Sequence, residues 1–246
     1  MLSNTELDRT KEVLRLTTLT AEQVLSRNIE AMGADLGRIY TALVDELVWL
    51  HMKWSQYLAL FGSSPRRVEL LNVAAGTFFH VLQDVMWNDL LIGLARITDP
   101  PKSAGKSNLS VRCLPDLLKD VPIHEAVSSQ VSLVLQNAAF ARDWRNRHLA
   151  HRDLSRAIAG KAAEPLSSAS ISKIRECLSS MVALLNFVDN HYLDSTMFYD
   201  MDHVPGDAGS LLRTLDYGVR AKEAYFERLR SGAASSEDIE AHHRAV

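Results

Sequence analysis

Cysteine is scarce: Cys113 and Cys177 are the only two in 246 residues. Their spacing fits neither a redox pair nor a zinc site, so a disulfide-stapled or metal-knuckle scaffold is excluded and two buried thiols in a reducing compartment are expected. Positive charge is not in surplus either. Twenty-seven Lys and Arg against thirty Asp and Glu give a formal net charge of -3. A protein that coats nucleic acid along its length is normally basic, so any such contact here must be local. No apolar run is long and clean enough to span a bilayer. The strongest candidate, Phe78 to Ala95, is interrupted by His80, Asp84, Asn88 and Asp89, and this pattern predicts a buried core helix and no membrane association. Residues Met1 to Lys11 carry no apolar signal core, which predicts a soluble protein that stays in the cytoplasm. A phosphate-cradling glycine loop and a nucleophile elbow are also missing.

What is present is helical periodicity, in segment after segment, with no convincing alternating strand. Ser3-x-x-Glu6 and Thr20-x-x-Gln23 read as capping boxes. One long helix is expected to carry Met32, Leu36, Ile39, Leu43, Leu47, Leu50 and Trp54 and to end near Gly62. Ser64-Pro65 opens the next, which Pro100-Pro101 stops. A loop over Pro100 to Asn108, a short helix around Val111 to Lys119, and a helix from Pro122 through Val127, Val131 and Val134 follow. The stripe Ile171, Ile174, Leu178, Met181, Leu185, Val188 and Tyr192 steps strictly by three and four, as a bundle-facing helix does. A last amphipathic helix carries Leu212, Leu215, Val219, Phe226 and Leu229. The expected fold is all-α, an antiparallel helical bundle with additional N- and C-terminal helices. It is read as one domain over residues 1–230, with 231–246 a flexible tail.

Chemistry concentrates between Arg142 and Arg156. Five arginines, 142, 145, 147, 152 and 156, stand against Asp143 and Asp153, a local surplus of three positive charges, and His148 and His151 lie among them. Arginine offers a planar fork matched to phosphate oxygens, and histidine titrates near neutrality. The bland alternative is an exposed helix end whose cations complement the helix dipole and pair with the two aspartates. On ideal helical angles Arg145 and His151 stand about 120° apart. They would meet on one phosphate only through arginine's reach, a distorted last turn, or a second subunit.

Arg145-Asn146, four further residues, then His151 resembles the Arg-polar-x(3–5)-His signature of the HEPN superfamily, helical proteins that include many metal-independent ribonucleases. The segments Ala95-Arg96-Ile97-Thr98-Asp99-Pro100 and Asn108-Leu109-Ser110 extend the resemblance to the abortive-infection U-type branch, over roughly Val68 to Tyr192. The resemblance implies a homodimer whose motif helices meet in a basic cleft that takes RNA. It implies Arg145, Asn146 and His151 as the catalytic set, with Arg142, Arg147, His148 and Arg152 binding RNA or supporting the site. No metal or other cofactor is implied, since the RNA's own 2′-hydroxyl is the nucleophile. A role in phage defence or a toxin–antitoxin-like system, with an antitoxin encoded nearby, would follow. In one HEPN subgroup a regulatory tyrosine stands two residues after the histidine. Here that residue is Asp153, so regulation through that tyrosine is not expected. The rival expectation is a catalytically silent helical module that binds RNA, nucleotide or a partner protein.

Other candidates are weaker. His148-x-x-His151 lacks a third zinc ligand at usable spacing. Asp200, Asp202 and His203 read as a solvated turn, and His242-His243 as part of the tail. Asp89, Arg96 and Asp99 read either as ion pairs that fix helix packing or as support for the motif helix.

Overall fold

The computed structural model describes residues 19–62, 64–103, 105–119, 121–150, 158, 165–199 and 205–236. His151, Arg152, Asp153, the Asp200 to His203 cluster, His242-His243 and the Ser3 capping box lie outside the described residues. The described residues are all-α: α1 (Ala21–Met32), α2 (Ala34–Tyr57), α3 (Pro65–Arg96), α4 (Leu114–Leu117), α5 (His124–Asn137), α6 (Ala139–Trp144), α7 (Ile171–Leu193) and α8 (Ala208–Arg230). Strand is confined to one antiparallel pair of two-residue segments, β1 (Lys102–Ser103) and β2 (Lys106–Ser107), inside the Pro100 to Asn108 loop. Among the described residues no helix is long and apolar enough to cross a membrane.

Local chemistry explains most boundaries. The Thr20 hydroxyl accepts from the Gln23 backbone N–H while the Gln23 side chain accepts from the Thr20 N–H, the expected capping box. Ser170 caps α7 and Asp207 caps α8 in the same way, each accepting from a backbone N–H three residues on. The long helix expected from Met32 to Trp54 is two. Gly33, at φ +83°, ends α1, and its N–H closes on the Ile29 carbonyl. The apolar stripe continues across the break, so periodicity alone could not reveal it. The helix expected from Pro122 starts at His124 and divides at Ala138 into α5 and α6.

The chain forms two compact units, residues 1–51 with 91–199, and residues 52–90 with 200–246. In the first, α5 packs along α7, and α1 also meets α7. Val127, Val131 and Val134 of α5 and Ile174, Cys177, Leu178, Met181, Leu184, Leu185 and Val188 of α7 are buried, as are Leu43, Leu47 and Leu50 of α2. Each fully buried leucine contributes about 1.5–3 kcal/mol of transfer free energy. In the second unit, Leu60, Leu71, Phe79, Ala208 and Leu212 form a smaller cluster. Trp54 stacks on Tyr57 with ring centroids 5.9 Å apart.

The stretch Phe78 to Ala95 is not the uniformly buried helix its composition predicts. Leu90, Leu91 and Leu94 are fully buried, but Phe78 is 62%, Val81 55% and Val85 57% exposed. Three large apolar side chains at steps of three and four thus line an outer face of α3. Ala75, at φ -162° and ψ 66°, interrupts α3 one turn before that face begins.

Candidate functional site

The site belongs to the first unit and starts where α6 ends. After Trp144 the helix widens into a single π turn, Arg145–Leu149, closed by the Ala150 N–H on the Arg145 carbonyl at 2.9 Å. An i→i+5 closure holds one residue more than an α turn. Ideal steps of about 100° per residue counted from Arg145 therefore do not apply across this turn.

The turn orients its charged side chains through specific partners. The Arg145 guanidinium donates from Nη1 to the Asp99 carboxylate, three residues after α3 ends. From Nε and Nη2 it donates to the Asn146 carboxamide oxygen at 3.0 and 2.9 Å. Both members of the Arg145–Asp99 pair are largely buried, at 26% and 18% side-chain exposure. A guanidinium carries five N–H donors, and three are engaged here. Two are left without a partner among the described residues.

The neighbours are pinned as well. Arg147 pairs with Asp143 and donates to the Pro165 carbonyl. Asp143 accepts from the Ser167 N–H at 2.7 Å, and the Trp144 indole N–H donates to the Ser167 carbonyl at 2.7 Å. The returning chain at Pro165–Ser167 is thus stapled onto the turn that ends at Ala150. Burial pushes the Asp143 carboxyl up, but the Ser167 backbone and hydroxyl and the Arg147 guanidinium outweigh it and hold Asp143 below the usual carboxylate range. His148 is exposed and stands edge-on to Trp144, centroids 5.7 Å apart.

Arg142 turns inward. Its Nη2 donates to the Leu135 carbonyl at 2.8 Å, while Nη1 is buried with no partner among the described residues. Burial, then the like charge of Arg112, lowers its affinity for the proton, though a guanidinium remains a cation at neutral pH. Arg112 donates to the Thr98 carbonyl at 3.0 Å. The Arg112 and Arg145 guanidiniums and the Asp99 carboxylate all act electrostatically on Arg142, and Asp99 is paired to Arg145. Such a cluster favours an anion.

Beside this cluster lies an open cavity of about 240 Å³, lined by Glu46, Arg96, Ile97, Asp99, Ser107, Asn108 and Leu109. Glu46 and Arg96 pair on its wall at 2.6 Å. The Ser110 hydroxyl donates to the Asp99 carbonyl and the Asn108 amide to the Pro100 carbonyl, which closes the β1–β2 loop on the end of α3.

Of the residues singled out in the sequence, Arg145 and Asn146 are brought together, Arg147 and His148 flank them, and Arg142 stands beneath. His151 and Arg152 lie outside the described residues. Asp99 supports the motif turn, whereas Asp89 pairs with Lys53 and Arg96 with Glu46. Sequence reasoning missed Glu46 and Arg112, since single charges on amphipathic segments give no signal. Among the described residues no three His, Cys, Asp or Glu side chains gather as a metal site would need.

No curated protein and no solved structure matches the chain. The family model described as AbiU2, a HEPN family, matches residues 33–209, well over half the chain, and this span contains Asp99, the cavity and the π turn. The chain belongs to the AbiU2 family of HEPN proteins, the abortive-infection-related branch.

Proposed function

We propose that the protein is a metal-independent endoribonuclease of the HEPN type, acting in phage defence or a toxin–antitoxin-like system. The observation that carries the reading is the Arg145 guanidinium, held by Asp99 and by Asn146, with two N–H donors left without a partner among the described residues. A donor fixed before the substrate arrives stabilises developing charge without reorganising at the moment of reaction. The ribose 2′-oxygen attacks the adjacent phosphorus, the bond to the 5′-oxygen breaks, and Arg145 neutralises the crowded phosphorane. His151 exchanges a proton with the 2′-hydroxyl or the departing 5′-oxygen. The products are a 2′,3′-cyclic phosphate and a free 5′-hydroxyl, and DNA is inert for want of the nucleophile. A homodimer that brings two motif turns together completes the cleft, and an antitoxin encoded nearby restrains it.

The test is cleavage of host RNA by purified protein in excess chelator, with the product ends identified. Cyclic phosphate termini support the reading. A wild-type protein that binds RNA through Arg145 but cleaves none under any condition overturns it. The second reading, a silent RNA-binding module, then takes its place, and the neutralisation of Arg145 by Asp99 is the feature that favours it.

A further inference from the structure

The cavity beside Arg145 has chemistry of its own. Five of its seven lining residues, Arg96, Ile97, Asp99, Asn108 and Leu109, come from the two segments Ala95–Pro100 and Asn108–Ser110. Asp99 reaches both ways, since it lines the cavity and accepts from Arg145. Whatever occupies the cavity is therefore adjacent to a phosphate held by Arg145.

Its walls combine apolar surface with one matched pair of polar edges. Leu109, half-buried, offers an aliphatic face to a flat ring, and the buried Ile97 adds to the lining. The Glu46 carboxylate accepts and the Arg96 guanidinium donates, side by side at 2.6 Å. Both are partly open to solvent, at 36% and 59% side-chain exposure, so each retains capacity for a further partner. The Asn108 amide nitrogen is committed to the Pro100 carbonyl, while its carboxamide oxygen has no partner among the described residues. An acceptor beside a donor matches a base edge that presents N–H groups next to a carbonyl oxygen. Guanine offers that edge through N1–H, the N2 amine and O6. Adenine presents one amine, N6, beside a ring nitrogen, N1 or N7, and so offers a carboxylate one N–H where guanine offers two. Lys102 is the register partner of Ser107 across the β pair and so shares the face of the hairpin on which Ser107 lines the cavity. An exposed ammonium there suits a flanking phosphate.

We infer that this cavity is a base-reading subsite for the RNA, taking one guanine, with Glu46 accepting from N1–H and the N2 amine and Arg96 donating to O6. The inference rests on the nuclease reading for its choice of RNA as ligand. It goes beyond that reading by naming the base and the residues that select it.

The test uses uncleavable probes, so that it stands apart from catalysis. Short 2′-O-methyl oligoadenylates carrying one central guanosine, inosine or adenosine are titrated against the full chain by fluorescence anisotropy. Wild type should prefer guanosine over adenosine by on the order of tenfold to a hundredfold, with inosine, which lacks the N2 amine, in between. E46Q should erase the preference, so that its ratio of guanosine to adenosine affinity falls to near one. R96Q is the second variant and should weaken guanosine and inosine equally. No preference in wild type, or a preference untouched in E46Q with its melting temperature intact, overturns the subsite. Free guanosine monophosphate that displaces the guanosine oligomer at concentrations below the oligomer's own Kd overturns RNA as the ligand. A protein that selects guanine but never cleaves loses the nuclease reading and keeps the subsite. One that cleaves without base preference does the reverse.

Discussion

Asp99 and Arg145 stand 46 residues apart in the chain and form a largely buried ion pair that ties the end of α3 to the π turn. Asp99→Ala should therefore act on rate more than on fold. Misplacing a positioned group by about 1 Å can cost on the order of 10²-fold, and cleavage should fall by roughly that factor. The stability lost should be about 1.5–3 kcal/mol, as for a hydrogen bond to a charged group. Asp99→Asn keeps an acceptor and should recover part of the rate. Rate constants and thermal melts on the two variants check this.

Arg145→Ala and His151→Ala should each reduce cleavage below detection while the protein remains folded. A positioned acid–base group contributes about 10²–10⁴-fold, and an electrostatic donor on the order of 10²–10³. His148→Ala should cost less than His151→Ala. If His148→Ala is fatal and His151→Ala harmless, the motif has been set on the wrong histidine.

Gly37→Ala should destabilise through a backbone clash. A Cβ at Gly37 would lie 2.7 Å from the backbone carbonyl of Asn28 in α1. A backbone obstacle cannot rotate away, so the cost should be about 1–3 kcal/mol, against the gain of up to about 1 kcal/mol that alanine brings to an open helix interior. Chemical denaturation of the variant decides the sign.

Leu178→Ala and Phe78→Ala should differ sharply although both remove large apolar side chains. Leu178 is 2% exposed, and its truncation should cost about 2–5 kcal/mol. Phe78 is exposed on α3, and its truncation should stay within about 0.5 kcal/mol. Equal losses would mean that Phe78 is covered in solution.

Alkaline conditions should unfold the protein before any comparable acidic shift does so through these groups. Burial pushes the Cys177 thiol from 9.0 up to about 12, and burial likewise raises the Tyr40 and Tyr199 phenols. A group whose folded value is raised contributes stability that is complete below its unfolded value and is lost as pH rises toward the folded one. Stability should decline from about pH 9 upward. Alkylation of Cys177 at pH 8 should proceed only as the chain unfolds.

Helix identity was legible because it depends on local patterning. The Thr20–Gln23 box, the Ser64-Pro65 start and the α7 stripe each announce themselves within a few residues. What patterning cannot carry is a change of backbone state at a single residue. Gly33 leaves the apolar stripe unbroken while ending α1, and the widened turn at Arg145–Leu149 leaves no mark in the composition. Burial was misjudged in α3, where apolar residues outnumber the core positions available to them and Phe78, Val81 and Val85 remain outside. At the site, Arg145 and Asn146 were legible as chemistry, and Asp99 as one of two roles. The Glu46–Arg96 pair joins residues fifty positions apart in sequence, and only tertiary packing decides which single charges meet.

The π turn separates two demands that a regular helix must satisfy with one rotation. Phe140 and Ala141 of α6 are buried, and their azimuth is fixed by the core. One added residue in this turn rotates its last residues, up to Ala150, by about 100° relative to a continuous α-helix. The charged side chains are therefore aimed independently of the apolar ones that anchor them. Deleting a single residue between Asn146 and Leu149 would restore the regular winding and swing the side chains that close this turn off their bearing, with no buried contact of α6 disturbed. The length of this short segment, more than its composition, is what the site requires.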